Sequence, residues 1–489
     1  MEGEKKKKMS LYPIHAIIGV AITVIFWVIP PIDPITPVGM RCVGAFRGMV
    51  YMWSAIGTLW PSLYGLFAIA ISGYAGDGLA GFNAVWMNAV GVNTVLLCLF
   101  AMVLFGALDE LGITKYIARF LLTRKFYAGK PIMFLSVFFF TCFVLSTLVS
   151  PIVSMIMLWP VAKRMTDAMN LTREDGVWKF FYVGMFGVST LGQPFFPFMG
   201  AQLIPCSAFQ TMSGMAIPMG QYMLMNALMT FIVMTIYLLF MKFGPVDLTK
   251  LKSVDPAMIE NDLNLPPMDF RQKVFSWMVP IYLLLVLVPS FFPTNPICAW
   301  LNSIGVMGIT IAFCIILIAW KWNGQPMLNY QDVCYRQMNW GIFFMIAAAV
   351  YAAGTLSASN TGVTAFLLQV LNPVLGGQPE MIFVALMFTV ALIITNFANN
   401  AAMAVVLTPV VLAFSAQLGI NPMPVEVGVI LMVFVAMLTP AASPHAGMMW
   451  GRRDLYSAKD IMIVGFPLCV VTLLCYIFIA YPIMKVLFV

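Results

Sequence analysis

The chain has 489 residues, of which 62% are apolar and 9% are charged, and its mean hydropathy is +0.94. Soluble domains carry about a quarter charged residues, so this composition excludes a soluble globular protein and indicates a polytopic helical protein of the lipid bilayer. The formal net charge of +7 implies no nucleic-acid partner, because basic cytoplasmic loops of a membrane protein produce the same excess. The nine cysteines are scattered and predict no disulfide framework.

The first part of the chain predicts four membrane spans and then a helix on the membrane surface. The apolar runs long enough to cross a bilayer lie near residues 13–32, 41–60, 61–78 and 88–108. Residues 110–130 differ, because apolar residues recur there at helical spacing with Lys115 and Arg119 between them. This pattern predicts an amphipathic helix along the cytoplasmic surface.

Two interrupted segments follow the surface helix. Residues 131–164 form two apolar halves joined at Ser150-Pro151. Because proline cannot continue a helical hydrogen-bond ladder, we expect a re-entrant helical hairpin here. Residues 176–216 form a transmembrane helix broken at Gly192-Gln193-Pro194, and a span at 221–241 completes the first half.

The second half of the chain repeats this order of elements. Residues 242–273 form a long polar stretch and predict a cytoplasmic linker. The elements expected after it, within 274–489, are spans near 274–293, 297–320 and 339–354, a surface helix at 361–372, a hairpin at 380–417, a broken helix at 424–450 and a last span at 461–484.

The polar breaks and prolines of the two halves fall in one register. At a common offset, Ser150 falls on Asn399 and Pro160 falls on Pro409. Matches between apolar residues arise by chance, but the joint agreement of prolines and polar breaks favours an internal repeat. We therefore expect residues 1–241 and 274–489 to be two repeats, each with a hairpin and a broken helix.

The basic residues predict the orientation of the repeats. Lys5–Lys8 and the other basic clusters fall on one side, which the positive-inside rule makes the cytoplasm. Lys130 and Lys163 flank the first hairpin, whereas the second has neither Lys nor Arg beside it. The first hairpin should then open from the cytoplasm and the second from outside, with the N-terminus inside and the C-terminus outside. Inverted repeats with broken helices are typical of secondary transporters.

The two hairpin tips resemble those of the divalent anion:sodium symporter family, the dicarboxylate, citrate and sulfate carriers. Members of that family carry Ser-Asn-Thr at each tip, a fixed distance before a proline. In this chain Asn399-Asn400-Ala401 precedes Pro409, and Ser150-Pro151-Ile152 precedes Pro160. The late segment Pro440–Gly447 is similar to the family's Pro-Val-Ala-Thr-Pro-Pro-Asn-Ala sequence.

The resemblance implies a secondary active transporter of small organic, di- or tricarboxylate-like, or inorganic anions in the cytoplasmic membrane. It implies sodium as the co-transported ion, a homodimer, and an elevator mechanism in which a transport domain slides against a scaffold. The sodium ligands that it implies are Thr395, Ala398, Asn400 and Ala442 in a C-terminal site and Ser146, Ser150 and Gly192 in a degenerate N-terminal site. Hydroxyl, amide and carbonyl oxygens are the ligands that a hard cation prefers.

The substrate-binding residues are expected at the tips and the helix breaks. They are Ser150, Pro151, Ile152, Gln193, Asn399, Asn400, Ala401, Ser443, Pro444 and His445. Gln193 could instead satisfy exposed backbone groups, and His445 could be a packed neutral imidazole, an anion contact or a coupling proton site. Pro151 stands where the family has Asn and lacks an amide oxygen, which puts sodium binding at the first tip in question.

Three other functions compete with sodium-coupled symport. A sodium-independent anion exchanger is compatible with the altered first tip. A sodium/proton antiporter normally needs a buried carboxylate, and we expect none in either hairpin or broken helix, since Asp77, Asp109 and Glu110 lie at span ends. A membrane-embedded enzyme would need a metal or nucleophile cluster, and no HExxH or GxSxG motif is present.

Overall fold

The structure is a computed structural model that describes residues 11–256, 265–292 and 294–488. The basic segment Lys5–Lys8 and part of the expected linker lie outside these residues. Within the described ranges, strands are limited to one antiparallel ribbon of β1 (Lys321–Trp322) and β2 (Gln325–Pro326). Eight helices in the same ranges are long and apolar enough to cross a membrane. The predicted all-α polytopic membrane fold is confirmed.

The N-terminal helices are shorter than their apolar runs. They are α1 (Tyr12–Val28), α2 (Pro37–Ala55), α3 (Leu59–Ala70), α4 (Gly78–Val90) and α5 (Asn93–Glu110). The expected span at 61–78 ends early because Gly73 and Gly76 have φ angles of +85° and +102°, which a right-handed helix cannot contain. The expected span at 88–108 begins too early, because the chain turns between α4, which ends at Val90, and α5, which begins at Asn93.

The middle of the chain contains the residues predicted to form the first surface helix, the first hairpin and the first broken helix. Its helices are α6 (Ile113–Leu122), α7 (Pro131–Leu148), α8 (Pro151–Ala168), α9 (Gly176–Gly192), α10 (Leu203–Ser213) and α11 (Met219–Phe243). The surface helix expected at 110–130 is therefore α6, followed by a single 3-10 turn at Lys125–Tyr127.

The second half begins after the linker. Its helices are α12 (Phe270–Phe291), α13 (Pro296–Ala319), α14 (Tyr330–Gln337), α15 (Trp340–Ser357), α16 (Val363–Leu375), α17 (Glu380–Thr395), α18 (Asn400–Leu418), α19 (Pro422–Val433), α20 (Pro444–Gly451) and α21 (Ala458–Leu487). The residues 361–372, for which a surface helix is expected, fall mostly in α16, and their position at the membrane surface stays a prediction. The helix α16 begins after Gly362 (φ +71°), as α6 begins after Gly112 (φ +66°).

An ion pair joins the part of the linker that the structure describes to the loop between α8 and α9. Lys250 Nζ lies 2.8 Å from Asp175 Oδ2. This hydrogen bond from Lys250 is the main reason why the pKa of Asp175 lies below its ordinary value. Both side chains are partly exposed, so the pair orders the loop and adds little stability.

The chain forms two compact units, and each takes residues from both halves of the sequence. The first contains the described part of Met1–Val92 with Trp340–Gly376. It is built on close packing of α1 and α2, where a Cβ added to Gly48 would lie 2.3 Å from Thr23 Oγ1. The second contains the described parts of Asn93–Asn339 and Gly377–Val489, and both hairpins and both broken helices belong to it.

Helix–break–helix pairs occupy all four positions at which the sequence indicated interruptions. We name the first tip (Ser146–Ile152, between α7 and α8), the second tip (Thr395–Ala401, between α17 and α18), the first break (Gln193–Gln202, between α9 and α10) and the second break (Phe434–Ser443, between α19 and α20).

The packing inside the second unit is reciprocal. The helix after the first break, α10, packs on α18 of the second hairpin. The helix after the second break, α20, packs on α8 of the first hairpin. Each hairpin therefore contacts the broken helix of the other half of the sequence.

Candidate functional site

The second tip places two buried polar side chains side by side. Thr395 is fully buried, and its Oγ1 lies 3.1 Å from Asn400 Oδ1. The same hydroxyl contacts the carbonyl oxygen of Val433, at the end of α19. Asn399 caps α18, since its Oδ1 accepts a hydrogen bond of 3.2 Å from Ala402 N. Hydroxyl, amide and carbonyl oxygens thus meet where α17 and α19 both end.

Asn396 joins the second tip to the second break, a role that sequence reasoning missed. Its Oδ1 accepts hydrogen bonds from the backbone N–H groups of Met437 (3.1 Å) and Leu438 (2.8 Å). Its Nδ2 donates to Leu392 O (2.7 Å) and lies 3.4 Å from Val435 O. One buried amide therefore satisfies backbone groups that the unwound chain leaves free, and it fixes the position of the break.

The four residues expected at the C-terminal sodium site lie on these two segments. Thr395 and Asn400 are brought together, as described above. Ala398 lies at the tip itself, and Ala442 is fully buried in the second break, where its N–H bonds Thr439 O at 3.2 Å. Nothing in these contacts tests sodium binding, which stays a prediction.

The first tip has fewer side-chain oxygens. Ser150 caps α8 by accepting a hydrogen bond of 3.3 Å from Val153 N, and Pro151 occupies the first helical position, where a missing N–H costs nothing. Ser146 Oγ is buried without a hydrogen-bond partner among the described residues. Thr147 Oγ1 donates to Gly192 O at 3.2 Å, which ties the tip to the first break. Ile152 is half-buried and adds no polar atom.

The first break is flanked by two glutamines, and the side chain of Gln202 holds it. Gln202 Nε2 donates to Phe196 O at 2.9 Å and to Gln193 O at 3.2 Å, so it satisfies unwound backbone, one of the two roles considered for such a residue. Gln193 Oε1 is buried and finds no hydrogen-bond partner in the described part of the chain. Of these two residues, Gln193 retains free capacity to bind a ligand.

The second break ends at a capped helix with a buried histidine. Ser443 Oγ accepts a hydrogen bond of 3.1 Å from Ala446 N, and Pro444 is exposed. His445 is 4% exposed and its ring lies 5.5 Å from that of Phe186. Its Nε2 has no hydrogen-bond partner within the described ranges. Among the described residues, no backbone carbonyl accepts a hydrogen bond from this nitrogen, and the role of His445 stays a prediction.

Three half-helices begin at the site with their N-terminal ends capped by a short polar side chain. They are α8 at Ser150, α18 at Asn399 and α20 at Ser443. The N-terminal end of a helix carries a partial positive charge and free N–H groups, which attract anions. Ala401 is buried in the first turn of α18, where the family has a threonine. The tips and breaks contain neither Lys nor Arg.

A buried carboxylate in the second broken helix contradicts one expectation. Glu426 is 0% exposed in α19, and Thr408 Oγ1 of α18 lies 2.7 Å from its Oε1. We expected no carboxylate in either broken helix, although Glu426 lies within the residues 424–450 predicted as the second one. In the structure α19 begins at Pro422, since proline suits a first helical turn, and Glu426 enters the interior.

The fold and this site together define a class of protein. A polytopic helical membrane protein whose helices are interrupted at two polar tips and two polar breaks has the construction of a membrane transporter. The chain belongs to the family described as the sodium:sulfate symporter transmembrane region, which matches residues 12–489. The predicted family is confirmed, and its members are transporters and not enzymes.

Two relatives are also described as transporters. The uncharacterized transporter YfbS of Escherichia coli is 26% identical over 142 residues, which is 29% of this chain and 23% of YfbS. The uncharacterized transporter MJ0672 of Methanocaldococcus jannaschii is 20% identical over 205 residues, 42% of this chain and 44% of its own length. The matches thus span less than half of either relative.

A similar fold is seen in the YdaH transporter of Alcanivorax borkumensis, whose topology is described as unusual. The TM-score is 0.52 at 14% sequence identity, and the match covers 84% of this chain and 90% of that one. At this identity the similarity concerns the fold alone.

Proposed function

We propose that this chain is a sodium-coupled symporter of small anions in the cytoplasmic membrane. The substrates are organic di- or tricarboxylate-like anions or inorganic anions. The family carries the transport function, and the arrangement of the second tip against the second break carries the coupling to sodium.

The observation that supports sodium most directly is the oxygen cluster of the second tip. Thr395 Oγ1, Asn400 Oδ1 and the Val433 carbonyl oxygen meet inside the second unit, next to the Asn396 amide that holds the break. A carbonyl at the end of a helix has no partner further along the helix, so it is available to a cation. We assign sodium to Thr395, Ala398, Asn400 and Ala442.

The anion is proposed to bind where the half-helices begin. Positive helix ends at Ser150, Asn399 and Ser443 supply attraction without a basic side chain. Gln193 Oε1 and His445 Nε2 are buried without hydrogen-bond partners in the described chain. An imidazole N–H can donate to an anion, and the Gln193 side chain can do so through its amide NH2 group. The remaining contacts are assigned to Pro151, Ile152, Asn400, Ala401 and Pro444.

The elevator mechanism is supported by the second unit, which contains both hairpins and both broken helices. The reciprocal contacts of α10 with α18 and of α20 with α8 are what two repeats of opposite orientation would make. We propose that this unit carries the substrate and that residues 1–241 and 274–489 are inverted repeats. The homodimer and the cytoplasmic N-terminus belong to the same proposal.

Sodium binding can be tested on purified protein without knowing the anion. Sodium chloride should raise the thermal midpoint above that in potassium chloride at equal ionic strength, since a ligand that binds the folded state stabilises it by mass action. Asn400→Ala should abolish this difference. Asn302→Ala, which removes a 3.0 Å hydrogen bond to Pro289 O in α12, is the matched control and should keep it. An Asn400→Ala protein with an unchanged sodium response contradicts the assignment.

A sodium-independent anion exchanger is the second candidate, and the first tip is the observation that favours it. Pro151 supplies no side-chain oxygen at the position where the family has Asn, so one of the two sodium sites is reduced. If exchange is the function, uptake into proteoliposomes requires internal anion and is equal in sodium and potassium buffers. Uptake by empty vesicles that depends on a sodium gradient excludes the exchanger.

A further inference from the structure

Glu426 is a buried acid that the proposed symport does not use. It is buried in α19, the first half of the second broken helix, and α19 packs on both helices of the second hairpin. Its Oε2 has no hydrogen-bond partner among the residues that the structure describes. An ionised carboxylate in such a place would lose its hydration without compensation, which is far more costly than burying the neutral acid.

The contacts of the Thr408 hydroxyl indicate whether Glu426 is protonated or ionised. Thr408 Oγ1 lies 3.0 Å from Ala404 O and 2.7 Å from Glu426 Oε1. The threonine hydroxyl has one hydrogen, and the carbonyl can only accept. An ionised Glu426 could, like the carbonyl, only accept a hydrogen bond. The single hydrogen of Thr408 would then serve two acceptors, and one of the two contacts would have no hydrogen. A proton on Oε1 completes both, because Glu426 then donates to Thr408 and Thr408 donates to Ala404.

We propose that Glu426 is a proton-binding site of this carrier. The proton comes from water and is held between α19 and α18, the helix that begins with the proposed sodium ligand Asn400. Its binding stabilises the packing of α19 on α18, and its release weakens it. The link to transport rests on the proposed function, whereas proton binding itself does not.

Among the residues that the structure describes, no charged side chain is a partner of Glu426. The described residues of α18 contain no titratable side chain, and α10 contributes only the thiol of Cys206, which interacts electrostatically with Glu426. The titratable residue of α17 is Glu380, and it pairs with Lys485 Nζ of α21 at 2.6 Å and with Tyr481 OH at 2.7 Å. That ion pair is partly exposed. The proton is therefore the neutralising partner that the surroundings of Glu426 leave available.

The stability of the purified protein as a function of pH tests proton binding. An exposed glutamate in the unfolded chain ionises near pH 4.3, so above this pH the folded protein holds one more proton than the unfolded chain. Stability then falls as pH rises, by up to about tenfold in the unfolding equilibrium constant per pH unit, until Glu426 itself ionises. In Glu426→Gln the side chain keeps its shape but has no carboxyl group that can bind or release a proton.

We expect the thermal midpoint of the wild type to fall relative to that of Glu426→Gln as the pH rises above about 5. The control Glu380→Gln alters a paired, partly exposed carboxylate and should keep the wild-type slope. Equal pH slopes of the wild type and Glu426→Gln overturn the proposal.

If the Glu426→Gln protein does not fold, infrared spectroscopy of the wild type tests proton binding independently. Infrared spectra of the wild type at neutral pH should contain the carbonyl band of a protonated carboxyl group, and Glu426→Asp should shift it. A wild type without this band at neutral pH also overturns the proposal.

The transport link has its own readout. In proteoliposomes, Glu426→Gln should lose the pH dependence of uptake and keep its sodium dependence, and a Glu426→Gln protein with the wild-type pH profile overturns the link. If the wild type shows no sodium dependence, the proposed symport fails, while the stability and infrared results still decide proton binding.

Discussion

Asn396→Ala tests the connection between the second tip and the second break. The substitution removes the acceptor of two backbone N–H groups, those of Met437 and Leu438, in a segment with no helical partner for them. Leaving one buried donor unsatisfied costs about 1–3 kcal/mol, so for two donors we expect a loss of about 2–6 kcal/mol of stability. The break also loses its fixed position, and the Val433 carbonyl beside Thr395 moves with it.

Thermal unfolding of the purified protein in detergent, in sodium and in potassium buffers, measures both effects. Asn396→Ala should lower the midpoint by several degrees and reduce the rise caused by sodium. Asn302→Ala removes one hydrogen bond to a carbonyl outside the site and should cost about 1 kcal/mol with the sodium response intact. An Asn396→Ala protein as stable as Asn302→Ala, with a full sodium response, refutes the reasoning.

Two further substitutions test packing and the anion site. In Gly428→Ala the new Cβ would lie 2.0 Å from Phe388 Cζ, so either the Phe388 ring or α19 must move. A loss of about 1–3 kcal/mol should appear as a lower thermal midpoint. Gly176→Ala, whose new Cβ meets open space, should be nearly neutral, and equal midpoints of the two variants would contradict the close contact at Gly428. His445→Phe keeps a ring against Phe186 and removes the free nitrogen. The concentration dependence of uptake should show about tenfold weaker anion binding at nearly unchanged stability, and unchanged affinity would show that His445 does not contact the anion.

The positions of the tips and breaks could be predicted from the sequence because their causes are local. Ser150-Pro151 and Asn399-Asn400 interrupt apolar runs with residues that favour helix starts, and the same residues cap α8 and α18 in the structure. The N-terminal boundaries were less accurate. The helix α4 was missed because Gly73, Gly76 and Gly78 lie in an apolar run whose hydropathy does not reveal their positive φ angles.

The roles of Asn396 and Glu426 depend on partners distant in the chain. The groups that bond Asn396 Oδ1 belong to Met437 and Leu438, and no short-range pattern links them to the tip. Glu426 stands four residues inside a helix that begins with two prolines in its first turn, so its burial follows from the packing of α19 on α18 and not from neighbouring letters. Sequence periodicity indicates which segments are helical, but not which polar atoms they bring together.

Uptake of labelled sulfate, succinate and citrate into proteoliposomes, with and without an inward sodium gradient, tests the central claim most directly. We expect at least one of these anions to accumulate faster with the sodium gradient than with a potassium gradient, and Asn400→Ala to abolish the difference. Uptake by the wild type at the same rate in both gradients would contradict sodium-coupled symport.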